Sequence, residues 1–238
     1  MNLFYGLIAA VLAAVFLGIF FFRRSPEALV VLCYKKTPAT RRFEHLIRRL
    51  KNRRYHLSDE TTFKKSSGIM LLFLDGYRSF YTNIFPILSA EKIPATVGLI
   101  PGWIGKYNGF SQPPWQDMMT QQELATLEKT PFISFAAEPL NGEDVSSLTE
   151  EEASFAISES IFRLRQNHHL SPRFAALPTV RPLPPAAVKA AENLPVFSSC
   201  IGVNFPSETQ YTPCVLRVLF PDEHPLRTAY YLWKHRPR

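Results

Sequence analysis

Residues 68–105, GIMLLFLDGYRSFYTNIFPILSAEKIPATVGLIPGWIG, decide the fold. The apolar run Ile69 to Leu74 has the length and composition of a buried strand and stops at Asp75-Gly76. Phe80, Tyr81, Ile84, Phe85 and Leu88 then recur at helical spacing, which predicts a helix over Arg78 to Glu91. Lys92-Ile93-Pro94 ends it, and Ala95 to Ile100 reads as the next strand. The stretch is one β-α-β unit with a carboxylate and a glycine at the end of its first strand. That is where α/β folds place chemistry.

Working outward, strand-like runs alternate with helical ones. Ala28 to Tyr34 reads as a strand. Phe43, Leu46, Ile47 and Leu50 mark one helical face with arginines opposite, and Asp59 to Phe63 reads as a short helical piece. Thr120 to Glu123 is a capping box that opens a helix reaching about Lys129. Pro131 to Ala137 is a strand, and Thr149 is the expected N-cap of a helix running to Gln166. That helix carries Phe155, Ile157, Ile161, Phe162 and Leu164 as its expected apolar stripe. Arg173 to Leu177 is the next strand, Pro185 to Glu192 a helix, and Val196 to Val203 and Val215 to Leu219 the last strands. Arg227 to Arg238 reads as a final helix or a docked arm. The alternation predicts an α/β fold with a parallel sheet.

The 238 residues begin with an uncharged apolar run of 20, Leu3 to Phe22, enough to span a bilayer as a helix. Met1-Asn2 offers no basic n-region and Arg23-Arg24-Ser25-Pro26 no cleavage pattern, so the run reads as an uncleaved anchor. Residues 1–24 are thus expected to form a transmembrane anchor with a basic flank, and residues 25–238 one domain. The net charge is +7, concentrated in Arg41, Arg42, Arg48, Arg49, Lys51, Arg53, Arg54, Lys64 and Lys65. This fits anionic lipid headgroups or a solvated helix face, and no motif points to nucleic acid. The three cysteines, Cys33, Cys200 and Cys214, lack zinc spacing. Cys33 belongs to an apolar run, and spacing leaves open whether Cys200 and Cys214 pair.

Phe73-Leu74-Asp75-Gly76-Tyr77-Arg78, Phe85-Pro86-Ile87-Leu88, Ile93-Pro94-Ala95-Thr96 and the lead Trp115 to Thr120 together resemble the polysaccharide deacetylases of the NodB-homology family. The likeness is greatest to those that de-N-acetylate poly-N-acetylglucosamine. It implies a distorted, partly open (β/α) barrel of about seven strands. It also implies metal-dependent amide hydrolysis, with a divalent ion held by the second Asp of F-D-D-G and two histidines. The first Asp would serve as base and a late His as acid.

Here Asp75 holds the ligand position, and the base position is Leu74. The histidines are expected near Ala136 and Leu140 or Asn141, in a stretch, Phe132 to Gly142, that contains none. Leu177-Pro178-Thr179-Val180 keeps only the proline of the third motif. His224 is the one candidate for the late acid. Glu138 lies in the ligand loop and could point inward, and a mechanism without metal would need it close to Asp75 with their pKa values pushed apart; Asp117 and His56 stand on loops. His168 and His169, adjacent on a helix end, do not share a face. Asp75 itself has a structural alternative, capping the backbone of the turn that follows it. Tyr77, Arg78, Trp103 and Trp115 are candidate sugar contacts, while the aromatics of residues 101–117 also suit a loop packed on itself.

Two readings stand. One is a membrane-anchored deacetylase-like protein with an impaired site, binding a glycan or a partner of the envelope machinery. The other is an active carbohydrate N-deacetylase with a divergent site, which would need a zinc-like ion on Asp75. The family implies a domain outside the membrane; the basic flank after the anchor implies the cytoplasmic side.

Overall fold

The computed structural model describes residues 29–58, 68–177, 183–191, 194–198, 202–204, 217–219, 221 and 225–234. The expected anchor, Lys64 and Lys65, the Asp59–Phe63 piece, the Pro178–Val180 motif, Cys200, Cys214 and His224 lie outside them. No helix among the described residues is long and apolar enough to cross a membrane.

The elements run β1 (Leu29–Tyr34), α1 (Thr40–Asn52), β2 (Gly68–Phe73), α2 (Phe85–Glu91), β3 (Ala95–Leu99), α3 (Gln121–Glu128) and β4 (Ile133–Ala137), then α4 (Glu150–Gln166), β5 (Pro172–Leu177), α5 (Pro185–Ala190), β6 (Val196–Ser198), β7 (Gly202–Asn204), β8 (Arg217–Leu219) and α6 (Pro225–Lys234). They form one sheet of order β7-β6-β5-β4-β3-β2-β1-β8. Every neighbouring pair is parallel except β6–β7. The two edge strands do not pair with each other, so the barrel is curled and open. The strand expected over Val196 to Val203 is instead two short strands, β6 and β7, paired antiparallel.

Strand periodicity divides the interior in two. Val30, Leu32, Tyr34, Ile69, Leu71, Phe73, Val97 and Phe135 face the helices and pack with Phe43, Ile47, Ile84, Leu88, Ile157 and Leu164. Val31, Cys33, Met70, Leu72, Leu74, Ala136, Phe174 and Ala176 fill the concave side. A largely apolar barrel interior, with Thr96 and Ser134 bonded to each other within it, therefore reaches up to Leu74, the last residue before the Asp75 turn.

The helix after Asp75 is not uniform. A π-helical turn, Phe80–Ile84, precedes α2, with the Phe85 N–H bonded five residues back to the Phe80 carbonyl. Pro86 explains the wide turn: it has no N–H to give, and its ring crowds the carbonyl four residues earlier. Phe80, Ile84 and Leu88 are buried; Tyr81 and Phe85 stack on each other at the margin, 5.6 Å apart. Lys92 closes α2 in the left-handed region, φ 51°.

The expected capping box of Thr120 with Glu123 forms, and the expected N-cap Thr149 forms a second box with Glu152. On α4 the expected stripe needs correction. Phe155 and Phe162 are 60% and 55% exposed. The buried face is Ala153, Ala156, Ile157, Ser160, Ile161 and Leu164. These small residues let α4 lie close to β4 and β5, and the two phenylalanines, seven apart, share a different face. The terminal segment is a helix, α6, whose Leu232 carbonyl accepts the Tyr55 hydroxyl.

Candidate functional site

Asp75 begins the turn after β2 with φ 70°, followed by Gly76 at φ 75°. Two successive left-handed residues make an abrupt reversal, which the asparagine-like size of Asp and the bare glycine tolerate. A Cβ on Gly76 would also lie 2.9 Å from Leu99. The reversal is held by pairing across to the following loop. Gly76 accepts the Met119 N–H at 3.0 Å, Asp117 accepts the Arg78 N–H at 2.8 Å, and Tyr77 bridges Met118.

Glu138, directly after β4, is 2% exposed. Its Oε1 accepts the backbone N–H of Asp75 at 2.6 Å. To get there it crosses β3, and Gly98 leaves the passage: a Cβ at position 98 would sit 2.1 Å from that oxygen. On the other side the Glu138 carbonyl accepts the hydroxyl of Ser160 on α4, and its N–H bonds the Leu99 carbonyl at 3.0 Å. The backbone cap at this turn is thus supplied by Glu138, not by Asp75 as the structural alternative had it.

The two carboxyl groups lie near enough to shift each other's ionisation. Burial pushes Asp75 up to about 6, opposed by hydrogen bonds from Tyr77 and Glu138 and by the charge of Lys35. Burial, then the charge of Asp75, raises Glu138 well above the usual carboxylate range. Each carboxylate therefore disfavours ionisation of the other, and the two titrate as a pair. Tyr77 is buried, and desolvation followed by the Asp75 charge pushes its phenol up to about 12. Its hydroxyl lies 3.5 Å from Asn108 Nδ2. Asn108, also buried, accepts the Gln116 N–H at 2.6 Å and donates to Ser111 at 2.9 Å, tying the aromatic loop to the turn.

The remaining expected residues fall around this pair. Arg78 is exposed and binds Glu123 at 2.8 Å, with Asp117 3.9 Å away. Trp103 donates to the Asn141 carbonyl at 3.0 Å and packs on Phe110. Gly109 approaches its ring so closely that a Cβ would fall 2.4 Å from it. Trp115, by contrast, is 61% exposed. The places expected for ligand histidines are otherwise engaged. Ala136 lies in the apolar interior, Leu140 bonds through its backbone to Ala156 and Gly102, and Asn141 bonds Glu143 at 2.7 Å.

His56 stands at the opposite edge of the sheet, its carbonyl bonded to the Ile69 N–H at the start of β2. His168 is taken up by Gln121, 2.6 Å away, and burial followed by Arg163 lowers its pKa. Sequence reasoning passed over Asn108 and Gly98. A glycine inside a strand was the available signal for the second, since it marks a close approach; Asn108 had none.

The comparisons agree with this architecture. Residues 62–196, more than half of the chain, match the family model for polysaccharide deacetylase, and the chain belongs to that family. It is similar in fold to IcaB from Ammonifex degensii, at 18% identity and TM-score 0.64, covering 86% of this chain and 97% of that one. The Streptococcus pyogenes deacetylase PplD is similar at 13% identity and TM-score 0.64, with 90% and 100% covered. The BpsB deacetylase domain from Bordetella bronchiseptica follows at 14% and 0.61, with 82% and 95% covered. No curated protein matches the chain in sequence.

The family is generally metal-dependent. Among the described residues, no three His, Cys, Asp or Glu converge as an ion requires. The donors at the turn are Asp75 and Glu138, and one Glu138 oxygen is already bonded to a backbone N–H. Two carboxyl groups, one of them committed to a backbone N–H, are a poor match for the Asp-His-His ligand set that the resemblance implies.

Proposed function

We propose that this protein is a deacetylase-like binding module in which metal-assisted hydrolysis has been lost, tethered to a membrane by Leu3 to Phe22 and engaging a glycan or a partner of exopolysaccharide or envelope metabolism. The observation that carries the reading is Leu74. It stands where a deacetylase needs a base, is 5% exposed, and seals the apolar interior beneath Asp75. No proton acceptor can act from that position, and Glu138, crossing over Gly98, commits one of its oxygens to the Asp75 N–H. What remains at the surface of this end is an aromatic loop with Trp115 and Tyr107 exposed, suited to stack on sugar rings.

The test uses the full chain, purified in detergent without chelators. Metal content by mass spectrometry is expected to be far below one ion per chain and unchanged by Asp75→Ala. Chitooligosaccharides and β-1,6-linked N-acetylglucosamine oligomers are expected to shift its amide resonances or tryptophan fluorescence without release of acetate. Stoichiometric metal that Asp75→Ala removes, or steady acetate release, would overturn the reading.

One observation favours a second reading, an active hydrolase without the family's ligand set. Asp75 and Glu138 are a buried carboxyl pair, both raised above the usual carboxylate range by burial, a setting in which one carboxyl can serve as acid and the other as base. Asp75 would take the proton of the attacking water and Glu138 would give its proton to the departing amine. Against it, Glu138 points at the Asp75 backbone rather than at open space. Acetate release abolished by Glu138→Gln and unaffected by chelators would select this reading.

A further inference from the structure

All the strands but β7 run the same way, so all their starts lie at one edge of the sheet and the site at the other. Each intervening helix returns to the starting edge, and its last turn delivers that turn's side chains there. In this chain those ends are basic. Arg53 and Arg54 follow α1, Lys92 follows α2, Lys129 follows α3, Arg173 starts β5 and Lys189 lies in the last turn of α5; all six are exposed. Acids at this end are few: Glu91 pairs with Lys51, and Glu128 lies in the field of Arg173. The opposite end mixes signs: Lys35, Lys36, Arg41, Arg42, Arg78 and Lys106 are exposed there, beside Asp117, Glu123, Glu143, Asp144 and the triple acid Glu150-Glu151-Glu152. Acids in first turns and bases in last turns complement helix dipoles. Over one barrel the placements leave a base that is predominantly positive and a site end that carries both signs.

The chain enters at the positive base. β1 starts there at Leu29, seven residues after the apolar run ends at Phe22, with Arg23 and Arg24 between. Seven residues reach at most about 25 Å. We propose that the basic edge of the barrel, formed by the C-terminal ends of its helices, is a docking surface for an anionic lipid bilayer, with the Asp75–Glu138 end and the aromatic loop held away from the membrane. The occupant is set by charge complementarity and by where the apolar run meets the fold. Each Lys or Arg held near anionic headgroups adds to the attraction, so six together favour one orientation of a tethered domain. The proposal rests on the anchor reading made above, and the experiment separates the two.

The full chain is reconstituted into nanodiscs of phosphatidylcholine alone or with one third phosphatidylglycerol, with a fluorescent amino acid at position 129 on the basic edge or at position 107 on the aromatic loop. Quenching by headgroup-spin-labelled lipid is read. Position 129 is expected to be quenched at least about threefold more in the anionic discs, and the excess to vanish in about 0.5 M salt as screening shortens the range. Position 107 is expected to stay unquenched in both. Arg53→Glu/Lys92→Glu/Lys189→Glu is expected to remove the excess at 129, and the salt and lipid arms read the same interaction without a variant that must fold. Equal quenching at the two positions, or quenching indifferent to lipid charge and salt, overturns the docking. The anchor is read separately: failure of the chain to float with phosphatidylcholine vesicles in high salt overturns the anchor itself, whereas flotation without oriented quenching overturns only the docking surface.

Discussion

Glu138 accepts the backbone N–H of Asp75 at 2.6 Å, joining the ends of two strands that are not neighbours in the sheet. β3 lies between them, and only a residue without a side chain at position 98 lets the carboxyl through. The turn that begins at Asp75 is therefore held by a side chain from Phe132 to Gly142, a stretch without histidine.

Gly98→Ala is expected to cost about 1–3 kcal/mol, the range for overpacking a filled interior, because the new methyl would fall 2.1 Å from Glu138 Oε1. Denaturant unfolding of Gly98→Ala, Glu138→Ala and the double variant checks this. Much of the Gly98→Ala cost should disappear when Glu138 is already truncated. Additive costs would mean that the two side chains do not compete for the same space.

Stability should fall as pH rises through about 6. Asp75 ionises at about 6 in the folded chain against 3.8 ordinarily, so folding retains a proton that the unfolded chain has released. That stabilisation is fully present below about pH 4 and is lost as pH passes through the folded value. For Asp75 alone, linkage makes the chain about 1.5 kcal/mol more stable at pH 5 than at pH 8. Glu138 shifts in the same direction and extends the loss upward. Unfolding midpoints at the two pH values check this, and Asp75→Asn should flatten the difference. Stability that increases from pH 5 to 8 would contradict the assignment.

Leu74→Asp restores the family's paired aspartates in the sequence but not in the fold. Leu74 packs with Met70, Leu72, Ala136 and Phe174, and a carboxyl there has no hydrogen-bonding neighbour among these. The expected result is a loss of about 2–5 kcal/mol with no gain of bound metal. Thermal unfolding and metal analysis check it together.

Trp103 and Trp115 should separate under alanine substitution. Trp103 is bonded to Asn141 and enclosed by Phe110 and Gly109, so its loss should destabilise the loop by about 2–4 kcal/mol, read as faster hydrogen exchange over residues 101–117. Trp115 is largely exposed. Trp115→Ala should leave the unfolding midpoint within about 0.5 kcal/mol and reduce glycan affinity roughly tenfold if it stacks on sugar.

Local rules were enough wherever one element's own residues decide its state. The strand at Ile69, the capping boxes at Thr120 and Thr149 and the stop at Lys92 are written in adjacent positions, and the motif around Asp75 carried the family. The missing base and the histidine-free stretch were equally visible, because they are questions of residue type. The errors came where two surfaces meet. The buried face of α4 could not be told from its apolar count, since close approach to the sheet favours Ala153, Ala156 and Ser160 over the larger Phe155 and Phe162. The width of the turn before α2 depended on how Pro86 is accommodated.

By itself, then, the sequence determined the order of strands and helices, the membership of the polysaccharide deacetylase family and the absence of histidine where that family needs it. Only the tertiary structure decided that Glu138 meets Asp75 through the space above Gly98, that Leu74 closes the interior below them, and that Tyr77 is buried while Trp115 is open. Asp75 and Glu138, for example, stand 63 positions apart. A parallel sheet brings them together by stacking strands whose connections run through whole helices, and no local periodicity records which side chains then face one another.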